Sequence, residues 1–153
     1  MNDIKQALRW YLIEKLSDEE NGDPINGDEE NGDPINGIDN IYFIRAPSKT
    51  PPPYGIITVI GNTRERTHDG RDGLAEARVQ IDWFAKSDTE TEQLSRETMI
   101  ILEQVQNETI GVHQGEGGIF IAQVTIETEF DDYEDDTGLF HKAIDLTIQY
   151  EED

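Results

Sequence analysis

LAEARVQIDWFA, residues 74–85, has the most regular polarity pattern in this sequence. Its side chains alternate between apolar and polar: Ala75, Ala77, Val79, Ile81 and Trp83 are separated by Glu76, Arg78, Gln80 and Asp82. Successive side chains of a strand point to opposite faces, so this period of two predicts a strand with one buried face and one polar face. One face of the sheet that contains this strand is therefore expected to be exposed to solvent.

Two shorter strands are predicted upstream. Residues 41–45 (IYFIR) form a short apolar segment, and residues 55–61 (GIITVIG) are rich in the β-branched residues typical of strands. Between them, residues 46–54 (APSKTPPPY) are expected to be extended, because three successive prolines fix φ and remove hydrogen-bond donors. Residues 63–73 (TRERTHDGRDG) are predicted to form a polar, turn-rich connection that ends in two glycines.

Two helices are predicted from apolar residues at helical spacing. The first is capped by Asn2 or Asp3, and the second is opened by a capping box from Ser87 to Glu90 and runs to about Glu108. Their buried stripes are expected to be Ile4, Ala7, Leu8, Tyr11, Leu12 and Leu16 in the first, and Leu94, Thr98, Ile101, Leu102 and Val105 in the second.

Two further strands follow the second helix. Their apolar faces are predicted to be Phe120, Ala122, Val124, Ile126 and Phe130 in the first strand, and Ile144, Leu146, Ile148 and Tyr150 in the second. Residues 131–138 (DDYEDDTG) supply a turn, so this pair is most simply an antiparallel hairpin.

The resulting order is α, β-β-β, α, β-β, with one-sided alternation in most strands. It predicts an α+β fold in which two main helices pack on one face of a mostly antiparallel β-sheet. The long strands leave exposed sheet edges, and such edges require a partner or protection. Copies of the same chain could be that partner, so the chain is interpreted as a subunit that forms a ring.

The composition excludes several classes of function. The 153 residues suit a single domain, and the lack of cysteine excludes disulfides and thiolate sites. A net charge of −22 repels both phosphate backbones and anionic membranes, so no specific nucleic-acid or membrane binding is expected. The charge has two simple explanations: it keeps an assembly protein soluble before docking, or it suits a halophilic host with a salty cytoplasm.

A decapeptide, DEENGDPING, occurs twice in tandem over residues 18–37. Its glycine, proline, asparagine and aspartate content favours successive turns, so it is interpreted as a duplicated acidic loop inserted into the single domain. Calcium binding is the alternative because these side chains offer oxygen ligands. The order of residues does not match an EF-hand loop, however, which argues against that alternative.

The sequence contains no recognisable catalytic or metal-binding pattern. His68, His113 and His141 are dispersed and are interpreted as surface histidines. The acidic cluster Asp131, Asp132, Glu134, Asp135 and Asp136 is interpreted as a solvated turn, with metal binding as its alternative. No nucleophile–base pair or phosphate-binding loop is evident. The sequence therefore predicts no catalytic residue, no cofactor and no enzymatic activity.

The one basic patch comprises Arg64, Arg66, Arg71 and nearby Arg78. In so acidic a protein, it could dock an acidic partner surface, including the acidic turn of another copy, which is how identical subunits close a ring head to tail. Balancing of local carboxylates is the other interpretation, and the sequence leaves both open.

Several phrases taken in order resemble the tail-completion, or tail-terminator, proteins of tailed phages, which are also called head–tail joining proteins. The resemblance runs through most of the chain, from the amphipathic first helix to a last strand that ends near Tyr150. The phrases that carry it are Pro51-Pro52-Pro53-Tyr54, Asp69-Gly70, Gly73-Leu74, Ala77-Arg78-Val79-Gln80-Ile81-Asp82 with Trp83 and Ala85, Tyr133-Glu134, and Asp136-Thr137-Gly138-Leu139-Phe140. The arginine-valine-glutamine strand and the later aspartate-threonine-glycine turn are the most specific of these. The 18–37 insertion departs from the pattern.

The resemblance implies a virion protein without enzymatic activity, in a ring of typically six subunits. Such a ring caps the tail tube protein, meets the head connector or stopper protein, and leaves a channel for DNA. The candidate interface residues are Arg64, Arg66, Arg71, Arg78, Gln80, Asp82, Tyr133, Asp136, Thr137 and Gly138. Part of the acidic surplus is expected to line the channel, where carboxylates repel DNA. The alternatives are another neck or tail component, such as a connector stopper or a tube subunit, and an acidic calcium- or protein-binding module.

Overall fold

The computed structural model describes residues 4–16, 40–64, 74–111 and 118–151. Within these residues there are two helices and six strands. The helices are α1 (Ile4–Leu16) and α2 (Asp88–Gln104). The strands are β1 (Ile41–Phe43), β2 (Tyr54–Arg64), β3 (Ala75–Ala85), β4 (Glu108–Ile110), β5 (Ile119–Glu134) and β6 (Leu139–Glu151). The DEENGDPING repeat and its predicted loop lie outside the described residues.

All six strands belong to one sheet with the order β1-β2-β3-β6-β5-β4. The short β1 pairs with β2 in parallel, and every other pair is antiparallel. The predicted hairpin is confirmed, since β5 and β6 pair antiparallel from Glu134–Leu139 to Phe120–Glu151. The two longest hydrogen-bonded ladders, β3–β6 and β5–β6, make β6 the centre of the sheet.

Both helices pack on the same face, which confirms the predicted α+β class. Helix α2 contacts the central strands β3 and β6, while α1 contacts β1 and β2 near one edge and β4 at the other. One helix can reach both edges only because the sheet curls around it. The sheet therefore has an inner face against the helices and an outer face that no described element covers.

Strand β3 buries its apolar side chains as its alternation predicts. Ala77, Val79, Ile81 and Trp83 are fully buried against the helices. The indole N–H of Trp83 donates a 2.9 Å hydrogen bond to the hydroxyl oxygen of Thr98 in α2, so the largest buried ring has its one polar atom satisfied. Beyond the prediction, Asp82 and Phe84 on the outer face are also buried.

The helical stripes are confirmed, apart from Tyr11, which is only partly buried. Ser87 is the N-cap of α2, and its side-chain oxygen accepts a 3.2 Å hydrogen bond from the backbone N–H of Glu90. This bond satisfies one of the unpaired donors of the first turn. On α1, Arg9 donates from Nε to the carbonyl oxygen of Ile41 at 2.7 Å, which attaches the helix to β1.

The predicted end of the second helix is wrong. Helix α2 ends at Gln104, and Asn107 adopts a left-handed φ of 67° that an asparagine tolerates better than most residues. The backbone N–H of Asn107 then bonds to the carbonyl oxygen of Ile121 at 2.7 Å. The chain thereby enters β4, a strand of three residues that its sequence, ETI, is too short to signal.

The predicted faces of β5 are right for Val124 and Ile126 and wrong for Phe120 and Phe130. A register shift between Ile121 and Gln123 and another between Ile126 and Thr128 change which residues point inward. Phe130 is consequently 47% exposed. Further boundaries differ: β1 ends at Phe43, β2 extends to Arg64, and the predicted eight-residue turn shortens to Asp135–Gly138 because residues 131–134 continue β5.

Neither α1 nor α2 is both long enough and apolar enough to cross a membrane.

Candidate subunit interface

Three of the candidate interface residues lie in a row on the outer face of β3. Arg78, Gln80 and Asp82 stand opposite Thr147, Asp145 and Ala143 of β6 in the ladder. They are side by side because a strand returns to the same face at every second residue. The outer face is polar here, as expected, and its polar groups are engaged with one another.

Arg78 forms a two-point ion pair with Asp145. Its Nη2 and Nε lie 2.8 and 3.3 Å from the two carboxylate oxygens. The hydrogen bond to this carboxylate, with the attraction of its charge, raises the pKa of Arg78. The Asp145 side chain is only 10% exposed, whereas that of Arg78 is 61% exposed. The Arg78 guanidinium thus balances the charge of a nearly buried carboxylate within the molecule. Because most of the guanidinium is still exposed, docking of an acidic partner at Arg78 remains an open prediction.

Gln80 and Asp82 belong to a second polar group that includes His141. The Gln80 amide nitrogen lies 3.0 and 3.1 Å from the two Asp82 oxygens, and His141 Nε2 lies 2.6 Å from one of them. His141 was interpreted as a surface histidine, and that interpretation is wrong, because only 15% of its side chain is exposed. Its position in β6 opposite Phe84 and next to Asp82 could be found only once the strand order was known.

An aromatic row crosses the outer face beside these polar groups. The Tyr54 and Phe84 rings stack with centroids 5.0 Å apart, and Phe84 stacks on the His141 ring at 4.3 Å. Phe130 meets the other side of His141 edge-on at 6.3 Å. The row joins β2, β3, β6 and β5, and it explains why the outer face near Phe84 is buried although neither α1 nor α2 lies over it.

The remaining candidate residues lie at the β5–β6 turn. Gly138 has a φ of 72°, which favours glycine, and its N–H bonds to the carbonyl oxygen of Glu134 at 2.8 Å. The Thr137 hydroxyl donates to a Glu134 carboxylate oxygen at 3.0 Å. Tyr133 is about half exposed and packs edge-on against Phe140. Asp136 is exposed. The turn is therefore an ordered acidic projection.

The structure does not bring Arg78 and the acidic turn together within one molecule. Arg78 is level with Thr147, and the turn ends just before Leu139, which is eight residues away along β6. At about 3.3 Å per residue, they are separated by about 26 Å. Arg64 ends β2 level with Ala75, further still from the turn. Arg66 and Arg71 lie outside the described residues. A contact between Arg78 and the acidic turn would therefore have to join different copies.

Two members of the acidic cluster have separate partners within the molecule. Asp131 lies 3.3 Å from the Lys142 ammonium, which also contacts Glu92 of α2 at 2.8 Å. Asp132 accepts the backbone N–H of Tyr133 at 2.8 Å. Over the described ranges, no three histidine or carboxylate side chains converge at a spacing that could hold a metal ion.

Both edge strands leave long stretches of backbone without a neighbouring strand. Strand β4 covers only Ile119–Ile121 of β5, and β1 covers only Gly55–Ile57 of β2. Among the strands of the described chain, none pairs with the outer side of residues 122–134 or of residues 58–64. Unpaired strand edges of this length bind other strands readily unless they are protected.

Comparison with solved structures finds a similar fold in a chain of the virion of native gene transfer agent (GTA) particle. The likeness has a TM-score of 0.57 and covers 99% of this chain and 100% of that chain, with 8% sequence identity. At that identity the likeness shows a shared fold. No protein-family model and no curated protein sequence matches the chain.

Proposed function

We propose that this chain is a structural protein of a tailed virus particle. The observation that carries the proposal is the likeness to a chain of a gene transfer agent virion, which covers 99% of this chain and 100% of that chain. A fold alone does not fix a function. A second support comes from the sequence, which resembles the tail-completion family. The phrases that carry this resemblance most specifically are the arginine-valine-glutamine segment of β3 and the aspartate-threonine-glycine turn between β5 and β6.

Within the particle, the role proposed is that of a tail terminator. Six copies form a ring that caps the tail tube protein and meets the head connector or stopper protein, without enzymatic activity. Among the described residues, both borders of the sheet have backbone without a neighbouring strand, and the acidic turn lies about 26 Å along β6 from Arg78; this arrangement suits a subunit that needs neighbours on both sides. The acidic surplus would let DNA slide through the ring without sticking.

The ring is tested by native mass spectrometry and electron microscopy of the purified protein over a range of concentrations. The expected result is a closed hexamer with a central channel. A protein that stays monomeric up to high micromolar concentration would contradict the proposal.

The position in the particle is tested by deleting the gene from the viral genome. Loss of a terminator is expected to give separate heads and tails, with tails of irregular length. Loss of a connector stopper would instead leave tails of normal length and heads that release DNA, and loss of a tube subunit would leave no tails. Either of these two outcomes would reject the terminator role, and normally joined particles would reject a structural role at the junction altogether.

A further inference from the structure

We infer that neighbouring subunits join by antiparallel pairing of the free part of β2 in one copy with the acidic part of β5 in the next. This inference rests on the proposed ring and names the surfaces that build it. The two surfaces are the β2 edge, residues 58–64, and the β5 edge, residues 122–134. Each lies at a border of the sheet that no other described strand covers.

Among the described residues, side-chain hydrogen bonds to the backbone of the β5 edge occur only near its ends. The acidic side chains and a register shift between Ile126 and Thr128 also guard this edge against indiscriminate pairing. The backbone N–H of Val124 bonds to the side-chain oxygen of Gln106 at 3.2 Å, and that of Tyr133 bonds to Asp132 at 2.8 Å. Residues 125–132 between them are left open on that side, which is long enough for a neighbouring strand.

Charge argues against pairing of two β5 edges. The edge contains five acidic residues and no lysine or arginine: Glu127, Glu129, Asp131, Asp132 and Glu134. Two such strands side by side would place carboxylates against carboxylates, and like charges opposite one another destabilise a sheet. A two-fold dimer through this edge is therefore disfavoured, and a partner strand without acidic residues is preferred.

The β2 edge has the complementary composition. Its seven residues, TVIGNTR, include no acidic residue and end in an arginine. Ile60 lies at the register shift between Val59 and Gly61 and is 50% exposed, so the edge also carries an apolar side chain that the core does not use. Pairing with β5 would cover this side chain and bring a strand without carboxylates beside the acidic strand.

The strand directions already suit this pairing. Strands β2, β3, β6 and β5 alternate in direction, so β2 and β5 run antiparallel within one molecule. A second copy placed beside β5 in the same orientation therefore continues the sheet antiparallel. Such a contact uses different surfaces on the two partners, and it closes a ring if the rotation between copies is right.

Strand β1 fixes how the two copies are staggered. Without a stagger, Thr63 of one copy would be level with Gln123 of the other, and β1 would occupy the place of residues 129–131 of β5. A shift of five residues towards the β5–β6 turn, about 17 Å, moves β1 clear of most of β5. It sets residues 58–64 along residues 127–133, where the carboxylates are. Closed sheets require such a stagger between strands.

The absence of cysteine allows a direct cross-linking test. Thr128 and Thr63 are exposed and face outward, because they stand opposite Asp145 and Glu76 in the ladders. The test proteins carry Thr128→Cys together with Thr58→Cys, Gly61→Cys or Thr63→Cys, which sample successive registers on the same face. A Cβ at Gly61 meets no atom within 4 Å. Under mild oxidation, the variant with Thr63→Cys, which the five-residue stagger sets opposite Thr128, is expected to give a ladder of disulfide-linked multimers up to the full ring. Thr58 is level with Thr128 only without a stagger, so a ladder from the Thr58→Cys variant alone would contradict the stagger.

Controls are the single variants and a double variant with Thr63→Cys and Thr89→Cys, since Thr89 is exposed in the first turn of α2, which directly follows the interior strand β3. Apposed thiols have a far higher effective concentration than thiols that meet by diffusion, so the ladder should exceed the controls by at least about tenfold. Dimers from Thr128→Cys alone, or rings without a ladder in all three double variants, would overturn this inference and leave the ring standing. Monomers at every concentration would instead reject the ring itself.

Discussion

Gly55 and Trp83 show how one small residue allows one large residue to be buried. They stand opposite each other in the β2–β3 ladder, and Trp83 is fully buried. A Cβ built on Gly55 would lie 2.7 Å from a ring carbon of Trp83, closer than real contacts allow. The indole has its N–H fixed by Thr98, so the ring has little freedom to move away.

We therefore expect Gly55→Ala to destabilise the protein by about 1–3 kcal/mol, the usual range for an overpacked core. Urea unfolding followed by Trp fluorescence measures the change. Gly61→Ala in the same strand is the matched control, since its Cβ would meet no atom within 4 Å, and it should leave stability unchanged or slightly increased. Equal destabilisation by both substitutions would refute the steric argument.

At the scale of elements, Lys142 connects the β5–β6 hairpin to α2. Its ammonium contacts Glu92 on the helix and Asp131 on β5, and its side chain is nearly buried. Burial lowers the pKa of Lys142, but its hydrogen bonds to the two carboxylates outweigh this effect and raise the pKa above the ordinary lysine value. The folded state thus favours the charged form of this lysine.

A raised pKa in the folded state means that the stabilisation is complete below the unfolded value of 10.5 and is lost as the pH rises through the folded value. Methionine cannot carry this charge, so we expect the stability of Lys142→Met to lack this loss at high pH. The difference in urea midpoint between the natural protein and the variant should shrink as the pH rises from about 9 to about 12.

Tyr11 and Tyr54 also have raised pKa values, mainly through burial, but they titrate in both proteins and cancel in the difference. Lys86→Met, at an exposed position after β3, is the control that should keep the pH profile of the natural protein. A constant difference between the natural protein and Lys142→Met over the whole pH range would show that the ion pair does not contribute as proposed.

At the scale of the whole molecule, a net charge of −22 opposes any contact between copies. The proposed edge pairing brings one basic strand end to an acidic strand, and this attraction is local. The repulsion involves all the acidic residues and extends over about 10 Å at 0.1 M salt. Added salt should therefore weaken the repulsion more than it weakens a contact made mainly of backbone hydrogen bonds.

We expect the oligomer fraction at fixed protein concentration to rise between about 0.05 and 0.5 M NaCl, as measured by analytical ultracentrifugation. Sodium sulfate at equal ionic strength is the control: screening alone predicts the same oligomer fraction in both salts. Dissociation on adding salt would instead mean that ion pairs dominate the contact, contrary to the edge-pairing model.

The sequence by itself determined the local structure of most elements. The alternation in residues 74–85, the stripe from Leu94 to Val105 and the Ser87 cap identify β3 and α2 because each depends on neighbours within a few residues. These local signals were also sufficient to predict the α+β class. They failed at β4 and in β5, where a left-handed Asn107 and two register shifts are stable only because the adjoining strand accepts them.

Only the tertiary structure decided which distant residues meet. Asp82 and His141 are 59 residues apart in sequence, and their 2.6 Å contact depends on β6 lying beside β3. The tertiary structure also decided which strand edges have no neighbouring strand in the described chain, because β1 and β4 are shorter than the strands with which they pair. Strand order and edge exposure arise from pairing between segments far apart in the chain, and the periodicity of a single segment carries no record of its partner.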